Sequence, residues 1–214
     1  MKVIDLTHTI CEDMPVYPGT EQPKLTVVNT CESDGFRESR LQLYSHTGTH
    51  IDPPAHLFPD GRTLDQFPPE QFLGKALVID CRHLKAGERI TADCLKPYGD
   101  KVQQADFLLF NTGWDRYWGS EDYFGDYPCV DEEVLNRIMA GNYKGIGFDT
   151  ISPDPMANVS RHRKLFSARE CIIIENLTNL HLCGDGFFRF CCLPLKWEAA
   201  DGAPARAVAW LEDD

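Results

Sequence analysis

Four side chains that can bind a metal ion lie within eleven residues of the chain. His46, His50, Asp52 and His56 stand at sequence offsets of 0, 4, 6 and 10. Because all these offsets are even, the four side chains would lean toward one face of an extended backbone. A helix would turn Asp52 and His56 away from the other two, and the Pro53-Pro54 pair opposes a helix. We therefore predict the end of a strand that runs into a stiff loop.

Imidazole and carboxylate groups together form a ligand set suited to Zn(II), Mn(II) or Fe(II). No cysteine lies between residues 45 and 58, so the pattern indicates an open, catalytic metal site and not a closed thiolate site. The alternative is a histidine-rich surface loop, which is the better interpretation of a single His-x-x-x-His pair. Four potential ligands on one face favour the metal site.

The segment from His46 to His56 resembles the signature His-x-Gly-Thr-His-x-Asp-x-Pro-x-His of the cyclase family of metal-dependent hydrolases. This family includes bacterial kynurenine formamidase (arylformamidase) and isatin hydrolase. Shorter blocks extend the resemblance over nearly the whole chain in family order: Asp5-Leu6-Thr7, Met14 to Gly19, Gly147 to Asp149 and Ile174 to Leu177. The resemblance implies a single hydrolase domain over residues 1–214 with a swivelling β/β/α architecture.

The resemblance also implies a two-metal centre. In it His46, His50 and Asp52 bind one ion, His162 binds the other, and Asp52 and Glu175 are shared. From the residues alone, Glu175 is notable because a carboxylate at the end of an isoleucine-rich strand is costly to bury without a partner. His162 could equally be an exposed helix residue in a basic run. The implied cofactor is Zn(II), with Mn(II) as second choice and one or two ions per chain.

His56 follows the proline pair, and the resemblance implies that it acts as the acid/base. The expected reaction is hydrolysis of an amide-type C–N bond by a metal-activated water, with His56 carrying a proton to the leaving nitrogen. The expected substrate is an aryl formamide such as N-formylkynurenine, or a cyclic amide such as isatin. Tyr17 replaces a family tryptophan that contacts the aryl group, and it can still stack on an aromatic ring. Asp149 and Asp154 are interpreted as caps of turns in the loop over residues 149–154, with hydrogen bonding to His162 as the alternative.

Composition narrows the other classes of function. A formal charge of −12 and a pI near 5.0 disfavour a nucleic-acid partner. The chain has no linker that would divide it into domains and no apolar run long enough to span a bilayer. Charged residues near its start interrupt any apolar segment of the length that a signal peptide needs. We therefore expect a cytoplasmic single-domain protein with a small-molecule substrate and no membrane partner. Relatives in the resembled family imply a homo-oligomer, either a dimer or a tetramer.

Two other functional hypotheses differ in class. One is a non-catalytic protein that binds a metal or small ligand on the same fold. The other is a cysteine-dependent hydrolase. The nine cysteines form an odd number and lack Cys-x-x-Cys spacing, so we expect most of them to be buried apolar residues without disulfides.

Hydrophobic patterning predicts a mixed α/β domain with a β-rich, barrel-like core and few helices. Strands are predicted over residues 3–10, 24–30, 36–44, 75–81, 106–111, 144–150, 171–177, 187–195 and 205–211. Helices are predicted over residues 91–95, 130–141 and 160–169. We expect the strand over residues 36–44 to deliver the metal motif at its carboxyl end. The aromatic segment over residues 114–127 is either a lid over a substrate pocket or a packed surface loop.

Overall fold

The computed structural model describes residues 1–168 and 170–212. The strands in these ranges are Lys2–Asp5 (β1), Lys24–Asn29 (β2), Glu38–Gln42 (β3), His50–Asp52 (β4), Leu73–Asp80 (β5), Arg89–Ile90 (β6), Phe107–Asn111 (β7), Cys129–Val130 (β8), Gly145–Phe148 (β9), Ile172–Glu175 (β10), Phe188–Pro194 (β11) and Ala203–Leu211 (β12). The α-helices are Cys31–Asp34 (α1), Ala92–Leu95 (α2), Lys101–Gln104 (α3), Glu132–Ala140 (α4) and Ser160–Ala168 (α5). Short 3-10 helices lie at Pro54–His56, Leu64–Gln66, Pro69–Phe72, Lys96–Tyr98, Trp114–Tyr117, Glu121–Phe124 and Leu180–Leu182.

The main sheet closes on itself. Among the described residues it contains eight strands in the order β1-β12-β11-β5-β7-β9-β10-β4, and β4 also pairs with β12. This second pairing joins Ala203 to Ile51 and Pro204 to His50. Strand β1 occupies the rest of that edge of β12. The expected mixed α/β fold with a barrel-like core is therefore confirmed.

Both faces of this sheet are covered by apolar side chains, as expected for nearly continuous apolar strands. Alternate residues such as Val78, Leu109 and Ile174 form one buried cluster inside the closed sheet. Their neighbours along the same strands, such as Leu108, form a second cluster. Helices α4 and α5 lie over that second cluster, to which they contribute Val134, Leu135, Ile138, Leu165 and Phe166.

Helix boundaries agree closely with the sequence predictions. The Asp131 carboxylate accepts a hydrogen bond from Val134 N at 2.8 Å and so caps the start of α4, while Gly141 follows its last residue. Helix α5 begins at Ser160 as predicted, and its predicted end, Arg169, lies outside the described residues. No helix in residues 1–168 and 170–212 is both long and apolar enough to cross a membrane.

The prediction that the strand over residues 36–44 delivers the metal motif at its carboxyl end is wrong. Within the described residues strand β3 pairs only with β2, in a separate two-stranded sheet, and all five residues of β3 are exposed. The motif instead supplies its own strand, β4, to the closed sheet. Alternating polar and apolar residues indicate a strand, but they do not specify which sheet the strand joins. We call β2, β3 and the residues between them the hairpin arm.

The aromatic segment over residues 114–127 is packed against the protein. Trp114, Tyr123 and Tyr127 are at most 5% exposed and belong to one buried cluster. The indole N–H of Trp114 donates to Tyr123 O at 3.0 Å. Of the two alternatives, the structure shows the packed loop. Seven of the nine cysteines are also buried, as expected.

Candidate metal centre

Strand pairing places two of the predicted ligands side by side. Strand β4 runs antiparallel to β10, with His50 opposite Glu175 and Ile51 opposite Ile174. Residues directly opposite each other in such a pair project from the same face of the sheet. Asp52, two residues after His50, shares that face, whereas Ile51 projects into the interior cluster.

All five predicted metal ligands converge at this point. Nε2 of His50 lies 3.1 Å from Asp52 Oδ1 and 3.4 Å from Glu175 Oε2. Nε2 of His162, which projects from α5, lies 3.3 Å from Asp52 Oδ2 and 3.1 Å from Glu175 Oε1. Nδ1 of His46 lies 2.7 Å from Asp52 Oδ1. The two carboxylates therefore sit between three imidazoles, two of them contributed by the motif and one by α5.

Two sets of donor atoms are compact enough to hold an ion. His50, Asp52 and Glu175 form one set, and His46, Asp52 and His56 form the other, each with its atoms within 4.8 Å of one another. Asp52 belongs to both sets, as expected for a shared ligand. The grouping implied by the family resemblance differs in that it puts His46 with His50 and leaves His56 outside the ligands.

His56 ends the 3-10 turn Pro54–His56 beside these donors. Its ring centroid lies 4.1 Å from that of His46 and 6.0 Å from that of His162. Among the described residues no carboxylate forms an ion pair with its ring. Burial lowers the pKa of His56, and this effect outweighs the negative charge of Asp52. The ring is therefore neutral at pH 7 and can accept a proton.

The pKa values of the other three imidazoles, those of His46, His50 and His162, shift in the opposite direction. Burial alone would lower their pKa values, but carboxylate neighbours outweigh it. The charge of Asp52 leads in raising the pKa of His46 to about 9 and that of His50 to about 10. Hydrogen bonds to Asp154 and Asp52, together with the charge of Glu175, raise the pKa of His162 well above its usual range. Burial opposes ionisation of Asp52, yet the charges of His46 and His50 hold its pKa well below the usual value.

The donors present fit a divalent cation. Imidazole nitrogen and carboxylate oxygen are the atoms that Zn(II) and Mn(II) accept in catalytic sites. Glu175 Oε1 and His46 Nε2 are buried and form no well-aligned hydrogen bond in the described part of the chain, although His162 Nε2 lies 3.1 Å from the first atom and Asp201 Oδ2 lies 3.4 Å from the second. A buried polar atom without a partner costs about 1–3 kcal/mol. A bound cation would offset that cost.

Asp154 orients His162 as well as capping its helix. One carboxylate oxygen accepts from Arg161 N at 2.8 Å, and the other lies 2.8 Å from His162 Nδ1. The interpretation of Asp154 as a cap alone is therefore incomplete, because the same carboxylate turns His162 Nε2 toward the site. The alternative of an exposed helix residue is wrong for His162, which is only 4% exposed.

Asp149 caps a turn, but this turn follows β7 and does not lie in residues 149–154 as predicted. Among the described residues no hydrogen bond joins Asp149 to His162. Its carboxylate accepts from Thr112 Oγ1 and Gly113 N, both at 2.6 Å, and from Trp114 N at 3.2 Å. Burial raises the pKa of Asp149 to about 7, against the effect of these hydrogen bonds. The residue thus fixes the loop that follows β7.

Tyr17 lies on the loop between β1 and β2. Its side chain is 46% exposed, and its hydroxyl accepts a hydrogen bond from Ala157 N at 3.3 Å. Ala157 belongs to the loop that also carries Asp154. A role for Tyr17 in substrate binding stays a prediction.

Sequence reasoning missed the contact between His46 and the last hairpin. His46 Nε2 lies 3.4 Å from Asp201 Oδ2, which also accepts from Ser45 Oγ at 3.3 Å. A Cβ atom at Gly202 would lie only 2.4 Å from His46 Cε1, so glycine leaves room for the ring. The Asp201-Gly202 pair carried only a turn signal, and nothing local marked its long-range contact.

The chain is similar to known proteins over nearly its whole length. The model of the Cyclase family matches residues 4–155. The kynurenine formamidase of Bacillus anthracis is 28% identical and is aligned over 97% of this chain and 96% of its own. A solved potential metal-dependent hydrolase with cyclase activity is 31% identical with a TM-score of 0.76, covering 97% of this chain and 96% of that one. Isatin hydrolase A from Labrenzia aggregata shares the fold at a TM-score of 0.84 and 22% identity, covering 97% and 93% of the two chains.

Binding of Zn(II) to the metal-free protein should release protons. With pKa values of about 9 and 10, His46 and His50 are protonated at pH 7, and the cation must replace those protons. We expect release of about two to three protons at pH 7 and an apparent affinity that rises as the pH increases toward 9 or 10. Calorimetry in buffers of different ionisation enthalpy measures the release. Binding without proton release at pH 7 would contradict the assigned protonation.

Proposed function

The chain belongs to the cyclase family and is a metal-dependent hydrolase, and from this premise we propose that it cleaves an amide-type C–N bond in a small molecule. The observation that carries the proposal is the convergence of three imidazoles on two buried carboxylates. His46, His50, Asp52, His162 and Glu175 would hold one or two divalent ions, with Zn(II) first and Mn(II) second. Such an ion supplies Lewis acidity, which makes water nucleophilic at neutral pH and polarises a carbonyl oxygen.

The remaining steps belong to the side chains of the protein. Hydrolysis adds the oxygen of water to the carbonyl carbon and breaks the C–N bond, so a proton must move from that water to the leaving nitrogen. We assign this transfer to His56, whose neutral ring accepts the proton and then donates it. Asp154 keeps His162 turned toward the site throughout. Burial of Asp52 and Glu175 excludes bulk water from their charges.

We propose an aryl formamide as the substrate, with N-formylkynurenine as its first example. The similarity to a kynurenine formamidase over nearly the whole chain supports this choice. Tyr17 would contact the aryl group, since its ring is half-exposed on the loop anchored at Ala157. The second candidate is a lactam such as isatin, which the likeness in fold to isatin hydrolase favours. Either substrate contains the same carbonyl next to a nitrogen leaving group.

Substitution of His56 should separate metal binding from catalysis. We expect His56→Ala to keep its metal content and to lose activity by about a hundredfold or more, because proton transfer is removed. His181→Ala, which changes an exposed histidine outside the site, is the matched control. Elemental analysis and initial rates on the active substrate measure both effects. Unchanged turnover would exclude His56 as the acid/base, and lost metal would make it a ligand.

Chelation should identify the class of hydrolase. We expect a strong chelator to abolish activity, Zn(II) or Mn(II) to restore it, and thiol alkylation to leave it unchanged, because no cysteine belongs to the described donor sets. Rates are measured on N-formylkynurenine, other N-formyl aryl amines, isatin and simple cyclic amides. Inactivation by alkylation together with indifference to chelators would instead support a cysteine-dependent hydrolase.

We also propose that the protein forms a homo-oligomer in which the hairpin arm contacts a second copy of the chain. An isolated two-stranded sheet is only marginally stable in water, and this one exposes Val28, Phe36 and Leu41 by 45%, 53% and 61%. Leu41→Glu should lower the molar mass measured by light scattering, since a charge would be buried in the contact. Leu195→Glu, at a similarly exposed leucine elsewhere, should not. An unchanged mass for Leu41→Glu would exclude the arm.

A further inference from the structure

One carbonyl oxygen beside the metal centre accepts two hydrogen bonds. His50 Nδ1 donates to Gly48 O at 2.8 Å, and Asn176 Nδ2 donates to the same oxygen at 2.7 Å. All three residues are buried. Because a carbonyl oxygen can only accept, both nitrogen atoms must carry hydrogen.

This requirement fixes the direction of the Asn176 amide. With its NH₂ group facing Gly48, its Oδ1 atom faces the opposite way and accepts from the Tyr123 hydroxyl at 2.6 Å. Tyr123 is fully buried, so water does not compete for this bond. A flipped amide would set its oxygen against the Gly48 oxygen, and neither of these atoms carries a hydrogen.

The same requirement fixes His50. When Nδ1 carries its hydrogen toward Gly48, the neutral ring presents the lone pair of Nε2 toward Asp52 and Glu175. Histidines that bind metals commonly donate their other ring N–H to a carbonyl or carboxylate, which sets both tautomer and orientation. The Gly48 carbonyl is that acceptor here.

Asn176 also connects the two segments that carry opposing ligands. It directly follows Glu175 and occupies the left-handed region at φ 57°, which asparagine adopts more readily than most residues. Its backbone oxygen accepts from Thr49 Oγ1 at 2.5 Å. The residue therefore contacts the loop before His50 through both its side chain and its backbone.

We propose that Asn176, oriented by Tyr123, is a positioning residue that holds the Gly48 carbonyl and thereby sets the tautomer and ring orientation of His50 for metal binding. The inference rests on the proposed metal site. It assigns a role to two residues that contribute no donor atom to either compact set.

Tyr123→Phe tests the proposal, because it removes one hydroxyl from a buried ring. We expect the affinity for Zn(II), measured by competition with a chromophoric chelator, to fall by about tenfold to a hundredfold. Tyr98→Phe is the matched control, since its hydroxyl accepts from Asp80 N at 2.8 Å away from the site. That variant should bind Zn(II) as the unmodified protein does. Equal affinity in both variants would overturn the proposal.

Asn176→Asp distinguishes positioning from simple electrostatics. The carboxylate adds a negative charge next to Glu175, which by charge alone would tighten binding of a cation. It cannot donate to Gly48 O while ionised, so the proposed network predicts weaker Zn(II) binding at pH 7. Tighter or unchanged binding would contradict the positioning role.

If a variant fails to fold, a measurement on the unmodified protein still tests the proposal. In the Zn(II)-loaded protein, long-range ¹H–¹⁵N spectra should show His50 with hydrogen on Nδ1 and in slow exchange with water, because that hydrogen is buried against Gly48. Hydrogen on Nε2, or rapid exchange, would overturn the proposal. If the unmodified protein bound no Zn(II), the proposed metal site would be wrong. If the unmodified protein bound Zn(II) and neither Tyr123→Phe nor Asn176→Asp changed the affinity, the metal site would stand and only the positioning role would be wrong.

Discussion

Backbone hydrogen bonds between β4 and β10 bring an imidazole and a carboxylate to the same side of one ladder. Strand β4 has only three residues, yet it pairs with β10 on one edge and with β12 on the other, and so completes the closed sheet. A slip of one residue in this register would turn His50, Asp52 and Glu175 away from their partners. Strand β4 therefore both closes the barrel and places ligands in the candidate site.

The charged side chains that this strand pairing brings together would be costly to bury if they were unpaired. In the metal-free protein, protons on His46, His50 and His162 supply positive charge against Asp52 and Glu175. A divalent cation would replace those protons. Among the described residues His56 forms no ion pair with a carboxylate, and burial lowers the pKa of His56, so its protonation differs from that of its neighbours.

How far the sequence predicts this molecule depends on the range of the contacts. The even spacing of the motif indicated an extended backbone, which is correct only for His50–Asp52, since Gly48 lies in the left-handed region and His56 ends a 3-10 turn. The cap at Asp131 correctly located α4, because that signal is local. The assignment of residues 36–44 to the strand that feeds the motif was wrong, because alternation does not identify a partner strand. The roles of Asp201 and Asn176 could not be predicted either. Each depends on contact with residues more than a hundred positions away, and their own neighbours in sequence show only a turn or the end of a strand.

The partnership of β4 with β12 also bears on synthesis of the protein. His50 is encoded in the first quarter of the chain, but its strand gains its second neighbour only from Ala203 and Pro204. During most of translation, the nascent chain therefore contains the histidine motif but not yet β12, the strand that completes the pairing of β4. Premature capture of metal by a partly made chain would therefore occur in a site that lacks its final geometry.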